Sequence, residues 1–355
     1  MHDPHPLSRY GWDPARPFDA APGLQPGRVT LVQKGAWRVA TAEGEGPAEV
    51  AGKLLYAAGG AADLPSVGDW VAVAGNLAGG LYVIQQVLPR TSKFSRKVAG
   101  TRVEEQVVAA NIDTVFLVTA LDGDFNLRRI ERYLQVAWAS GAEPVVLLTK
   151  ADVAPDLAGQ VAAVAGVAMG ARVLAISVHT GDGLGAFSDQ LQPGRTYALL
   201  GSSGVGKSTL LNHLLGQSVQ KTQEVRADDS RGRHTTTHRE LFVLPNGALL
   251  IDTPGMRELQ LWASGEDSGD LAAFPDIAAL AEGCRYADCS HAAEPGCTVQ
   301  GALESGELDP DRWESYCKLK RELEFIERKA DKGLEAAQKA KWKAIHKSMR
   351  GFSKG

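Results

Sequence analysis

The hydrophobic pattern of the chain falls into three regimes. Between residues 114 and 252, apolar positions arrive as continuous short runs: Thr114-Val-Phe-Leu-Val-Thr119, Val145-Val-Leu-Leu-Thr149, Val173-Leu-Ala-Ile-Ser177, Tyr197-Ala-Leu-Leu200 and Ala248-Leu-Leu-Ile-Asp252. Helical stretches such as Leu127–Ser140 and Lys207–Leu215 separate several of them. Strands apolar on both faces, alternating with helices, predict a parallel sheet covered on both sides. Ahead of this region, strand-like runs broken by glycine occur at Arg28–Leu31, Ala36–Thr41, Glu49–Tyr56, Asp69–Ala74 and Gly80–Val87. Five short strands with turn signals predict a small β-barrel, and the pattern leaves OB-fold and SH3-like barrels both open. Beyond residue 265 the chain becomes helical and cysteine-bearing, and it ends in a charged stretch, Asp311–Lys347, also read as helix.

Composition narrows this picture little. The 355 residues, 44% hydrophobic and 23% charged, suit a soluble globular chain of two or three domains. No apolar run of about 18 residues predicts a membrane span. Met1–Phe18 is rich in Pro, His and Arg without an apolar core, so a cytoplasmic location and no membrane partner are expected. The expected division is a flexible leader at 1–27, a barrel domain at 28–95, an α/β domain at 96–265 and a helical metal-binding domain with a basic tail at 266–355. The net charge of −4 hides an asymmetry, because Lys318–Gly355 carries 12 Lys/Arg against 5 Asp/Glu. Arg90, Lys93, Arg96, Lys97 and Arg102 likewise mark residues 91–106 as an exposed basic linker. Such cations can meet nucleic-acid phosphates while the rest of the chain is acidic.

The most specific chemical signal is Gly201-Ser202-Ser203-Gly204-Val205-Gly206-Lys207-Ser208-Thr209, a phosphate loop between a strand and a helix. Glycines let backbone N–H groups close around phosphate oxygens, and the helix N-terminus adds positive potential. Lys207 is expected on the β- and γ-phosphates and Ser208 on Mg²⁺. Asp252-Thr-Pro-Gly255 follows a buried strand, where Asp252 would hold Mg²⁺ through water and the Gly255 N–H would sense the γ-phosphate. Between these motifs lies Arg231-Gly-Arg-His-Thr-Thr-Thr-His238. One of Thr235, Thr236 or Thr237 is the expected switch threonine; the sequence does not choose, and Thr236 is the central candidate.

Thr149-Lys150-Ala151-Asp152 follows the strand Val145–Leu148 and resembles the guanine-reading motif of GTPases. A carboxylate there accepts from the paired donors on guanine's edge, which adenine lacks, and Lys150's stem would lie over the ring. Ser177, after the next strand, belongs to the loop expected to support the base. In ordinary GTPases the phosphate loop comes first. Here Asp152 precedes Gly201, a circular permutation that makes the Asp252–Gly255 switch lead directly into the C-terminal segment. That segment holds Cys284-x₄-Cys289-x-His291-x₅-Cys297, three thiols and an imidazole that suit a closed tetrahedral zinc site. Cys317 lies outside the cluster and reads as a packed side chain.

Taken together, barrel, TKAD, GSSGVGKST, RGRHTTT, DTPG and C-x₄-C-x-H-x₅-C resemble the RsgA/YjeQ family of circularly permuted, small-subunit-dependent GTPases. The likeness spans about residues 28–330, and Tyr10-Gly-Trp12 resembles a longer-leader branch. It implies a multidomain chain with an N-terminal OB-like β-barrel, a central α/β P-loop GTPase domain and a C-terminal α-helical zinc-binding domain. It also implies GTP and GDP as ligands, Mg²⁺ and one structural Zn²⁺, and action on the small ribosomal subunit and its rRNA, as a monomer. Thr149 stands where many members have Asn, which is expected to weaken one polar contact near the base. Many GTPases place a water-orienting Gln after the DxxG glycine; this chain has Met256, so intrinsic hydrolysis should be slow. His234 is the candidate to orient water, with RNA contact or packing as its other readings. Two other functions stay open on sequence: an RNA-binding assembly protein that uses GTP only to fix its shape, and a P-loop ATPase.

Overall fold

A computed structural model of the protein describes residues 5–33, 35–97, 105–123, 125–168, 170–216, 239–252, 272–292 and 294–325. Two compact units emerge, one from residues 1–96 and 106–260, the other from 97–105 and 261–355.

The first unit begins with the barrel. Its elements are β1 (Gln25–Gln33), β2 (Ala36–Thr41), β3 (Gly44–Val50), the short α1 (Gly52–Ala57), β4 (Trp70–Ala74) and β5 (Tyr82–Val87). β1 pairs with β2 and β4, β2 with β3, and β5 with β4, all antiparallel, while β3 and β5 run parallel. The sheet closes in the order β1-β2-β3-β5-β4, an OB-like barrel around Val29, Val39, Val71, Val73, Tyr82 and Ile84. The third strand differs from expectation. It is Gly44–Val50 rather than Glu49–Tyr56, and the run Lys53–Tyr56 is helical with Leu55 and Tyr56 exposed. Gly44, Gly46 and Pro47 concealed an alternation of buried and exposed positions that the backbone nonetheless follows.

Two segments taken for loose connections are built into the core. Of the expected flexible leader, Leu7, Tyr10 and Trp12 are buried, and the Trp12 ring meets Trp70 edge-on at 4.8 Å. The backbone turns at Gly11, where φ is +81° and a Cβ would lie 2.4 Å from the Gly194 carbonyl oxygen, so only glycine fits. The expected basic linker is instead a two-stranded ribbon of β6 (Lys93–Lys97) and β7 (Glu105–Ala110), with Phe94 buried. Arg90 is not a free surface cation: its guanidinium forks onto both Asp69 carboxylate oxygens at 2.7 Å.

The α/β region follows as β8 (Thr114–Ala120), α2 (Leu127–Ser140), β9 (Glu143–Thr149), α3 (Leu157–Val167), β10 (Arg172–Ala175), α4 (Leu184–Ser188), β11 (Thr196–Leu200), α5 (Lys207–Leu215), β12 (Arg239–Val243) and β13 (Leu249–Asp252). β10-β9-β8-β11-β13 is a parallel sheet, with β12 antiparallel beside β13. β8 and β11 are buried along their whole length, as their unbroken apolar runs require. Phe116, stacked on Tyr197 and edge-on to Phe187, centres that core. β12, absent from the sequence reading, also pairs with β1 through Leu31–Glu240 and Val32–Arg239. The barrel and the parallel sheet are therefore one continuous sheet.

Arg28 on β1 locks this junction. Its guanidinium, 2% exposed, donates to the carbonyls of Tyr10 and Asn111 and to Thr196 Oγ1 at 3.1–3.2 Å, and it lies over the Trp70 ring. Burial lowers its pKa to about 10, so it stays charged at neutral pH. The second unit holds α6 (Pro275–Glu282), α7 (Thr298–Ser305) and a helix α8 over residues 310–325. Arg312 clamps Asp276 with bonds of 2.5 and 2.7 Å, beside stacked Trp313 and Tyr316. No helix among the described residues is long and apolar enough to cross a membrane. Replacing Arg28 with Met strips three buried acceptors of their donor. The expected loss is about 2–4 kcal/mol in equilibrium urea unfolding, and a loss within experimental error would show that the junction does not rely on the guanidinium.

Candidate functional site

The phosphate loop and the base-reading motif sit at the carboxyl ends of neighbouring strands. β11 ends at Leu200 and hands over to Gly201–Gly206; β9 ends at Thr149, and β8 lies between them. Carboxyl ends of parallel strands are where open α/β sheets bind ligands. Gly201 is dictated by this packing, since a Cβ there would stand 2.2 Å from the Val118 carbonyl oxygen of β8. Lys207 and Ser208 open α5, and the Lys207 ammonium donates to the carbonyls of Gly201, at 2.6 Å, and Ser202. Ser203, Gly204 and Thr209 take their expected places in the loop and first helical turn.

Two loops complete the base side. Asp152 lies in a 3₁₀ turn, Ala151–Val153, and its Oδ1 accepts from the Ser177 hydroxyl at 2.6 Å. That bond holds the exposed Asp152 carboxyl below its ordinary pKa, favouring the ionised, hydrogen-bond-accepting form. The Ala151 N–H donates to the Ile176 carbonyl at 3.1 Å and the Thr180 N–H to Ser177 Oγ at 3.1 Å, fixing the loop that carries Ser177. Lys150 adopts a left-handed backbone, φ +59°, and its ammonium meets Asp122 Oδ2 at 2.6 Å.

Thr149 does more than the sequence implied. Its hydroxyl donates to the Val205 carbonyl of the phosphate loop at 2.7 Å, tying base side to phosphate side. Two further contacts escaped the sequence reading. Asp122 follows β8 and steadies Lys150; Arg129, in the first turn of α2, donates to Ser202 Oγ at 2.8 Å. An acid just beyond a buried strand was the one available signal for Asp122; no local pattern marks Arg129. Asp252 ends β13 as expected, whereas His234, Thr235, Thr236, Thr237, Gly255 and Met256 lie outside the described residues.

The second unit brings the four predicted metal ligands together. The ligand atoms of Cys284, Cys289, His291 and Cys297 all lie within 4.8 Å of one another. His291 Nδ1 is 3.5 Å from the sulfurs of Cys284 and Cys297, which are themselves 3.9 Å apart. A tetrahedron with Zn–S of about 2.3 Å and Zn–N of about 2.1 Å has edges of about 3.6–3.8 Å. The donor set thus fits zinc in chemistry and in spacing. The Thr298 hydroxyl beside Cys284 lowers that thiol to about 6, whereas burial pushes the Cys289 thiol up to about 11. His291 is held by a left-handed turn, φ +58°, and its carbonyl accepts from the Gln300 side chain. Cys317, on α8, is half-buried with its thiol pushed up by burial.

With this geometry in place, comparison with known proteins is specific. Residues 87–262 match the family model described as RsgA GTPase. The chain is 50% identical to the small ribosomal subunit biogenesis GTPase RsgA of Opitutus terrae, over 97% of each chain. It is 48% identical to the small ribosomal subunit biogenesis GTPase RsgA 2 of Lactiplantibacillus plantarum, over 84% of this chain and 83% of that one. Among solved structures, YjeQ from Thermotoga maritima superposes with a TM-score of 0.63 at 26% identity, covering 84% of this chain and 98% of that one. The circularly permuted GTPase YloQ gives 0.62 at 23% identity, covering 87% and 98%, and shares the fold.

The Gly201 contact yields a direct test. Gly201→Ala forces a methyl onto the β8 backbone; it should cost about 1–3 kcal/mol of stability and weaken GTP binding about tenfold or more in a fluorescence titration. Unchanged affinity would show that the loop has room to spare.

Proposed function

The chain belongs to the RsgA GTPase family and is a GTP hydrolase with permuted motifs; on that footing we propose that it binds the small ribosomal subunit through its rRNA and acts in the subunit's late maturation. The observation that carries the guanine part is the Ser177-held carboxylate of Asp152, set across one strand from the phosphate loop. Hydrolysis is stimulated by the subunit, and release follows it. The N-terminal barrel, the permuted GTPase domain and the zinc-bearing domain act as three parts, in the cytoplasm, on a monomer.

Each residue has a task. Backbone N–H groups of Gly201–Gly206 and the Lys207 ammonium grip the β- and γ-phosphates. Ser208, Asp252 and one of Thr235–Thr237 hold Mg²⁺, which when bound neutralises charge on the transferring phosphoryl group. His234 orients the attacking water when the subunit is bound, because Met256 has no group able to do so. Cys284, Cys289, His291 and Cys297 hold one Zn²⁺ that keeps a small segment folded. Because Asp252 leads through residues 253–271 into that segment, loss of the γ-phosphate alters its grip on the subunit. Met256 is also what favours a second reading, in which GTP only fixes the shape of an assembly protein.

Turnover measured with and without purified small subunits separates the two. Strong stimulation is expected, and His234→Ala should lower stimulated turnover by about 10²-fold while sparing GTP affinity; equal turnover with and without subunits would favour the second reading. For zinc, Cys297→Ser should release one equivalent of Zn²⁺ and lower the melting temperature without changing GTP affinity. Retention of the full metal content would contradict the assigned ligand set.

A further inference from the structure

Arg96 on β6, Gln106 on β7 and Arg239, the first residue of β12, converge on one another. Arg96 Nε donates to Gln106 Oε1 at 3.0 Å, and Arg239 Nη2 approaches the same oxygen at 3.5 Å. Two guanidiniums thus share one neutral acceptor. Burial, and then the facing charge of Arg96, push the Arg239 guanidinium down to about 10. Neither arginine has a carboxylate partner among the described residues. Strand alternation turns the adjacent Glu105 and Glu240 toward the opposite faces. A partly desolvated pair of like charges is unfavourable unless an anion joins it.

We propose that Arg96 and Arg239, levelled by Gln106, form a phosphate-binding site that takes a backbone phosphodiester of the rRNA; the choice of RNA rests on the subunit-binding function proposed above. Guanidinium forks match phosphate oxygens in geometry and strengthen when both partners are charged. A polyanion suits the site better than a single free phosphate, because Lys93–Arg102 carries four cations and no acid. The placement also has a consequence for switching. Arg239 directly follows the segment Arg231–His238, and it pairs through β12 with both β1 and β13. A phosphate seated there anchors the strand into which the expected switch segment runs.

The test uses the full-length protein and purified small subunits, with binding measured across a salt series. Arg96→Gln and Arg239→Gln should each weaken binding about threefold to tenfold and reduce the salt slope by about 1, and the double variant by about 2. GTP affinity should not move. Gln106→Glu supplies an internal anion, so it should raise the melting temperature and still weaken subunit binding, an opposite pair of effects that a purely structural role does not produce. The site is overturned if the double variant binds with wild-type affinity and slope, or if Gln106→Glu changes neither quantity. Arginine-dependent stabilisation by inorganic phosphate with unchanged subunit binding would make it a free-anion site and overturn the RNA assignment. Loss of binding to subunits but not to protein-free rRNA would assign it to an acidic protein instead. If the wild-type protein itself fails to bind subunits, the subunit-binding function fails, and the RNA site falls with it.

Discussion

The nucleotide site depends on one hydrogen bond that crosses it, from the Thr149 hydroxyl to the Val205 carbonyl. Its two ends belong to motifs that permutation has placed in reversed order along the chain. β9 carries the base-reading loop and β11 the phosphate loop, and β8 spaces them by pairing in register with both. Register alone brings the strand ends level. The bond then fixes how far the phosphate loop stands from Asp152, and so the span a nucleotide must bridge. Gly201, pressed against the β8 carbonyl of Val118, sets the loop's depth from the other side.

The same logic extends outward. The pairing of β1 with β12 makes barrel and GTPase sheet one surface, and Arg28 secures it from beneath by reaching the leader, the β7–β8 turn and the first residue of β11. The strand that leads into the phosphate loop is therefore anchored to the barrel at its start. Contacts made by the barrel, or at Arg239, bear on β12, which pairs with β13, the strand that ends at Asp252. The second unit combines the four clustered ligands with buried Phe274, Ile277, Val299 and Leu319.

Sequence made some of this legible and concealed the rest for physical reasons. Helices α2 and α5 were read with the bounds the structure gives, because apolar strands and a glycine-rich loop frame them on either side. The phosphate loop, the TKAD motif and the Cys₃His cluster are local, so their spacing in the chain is their geometry in space. β3 was misplaced because small residues there pack against a curved barrel without an apolar signature. The leader reads as flexible and the basic ribbon as an exposed linker because their partners lie far away in sequence: Trp70 for Trp12, Gly194 for Gly11 and Asp69 for Arg90. Thr149 was recognised but undervalued for the same reason, since its acceptor lies 56 residues later.

The central claim is that this hydroxyl clasp, rather than the mere presence of both motifs, makes the site. Isothermal titration of GTP against Thr149→Val and Thr149→Ser tests it most directly, because valine keeps the shape and loses the donor, while serine keeps the donor. The account predicts that Val lowers affinity by about tenfold, the equivalent of about 1.4 kcal/mol for an unsatisfied carbonyl, and that Ser stays near wild type. Wild-type affinity in the Val variant would contradict it.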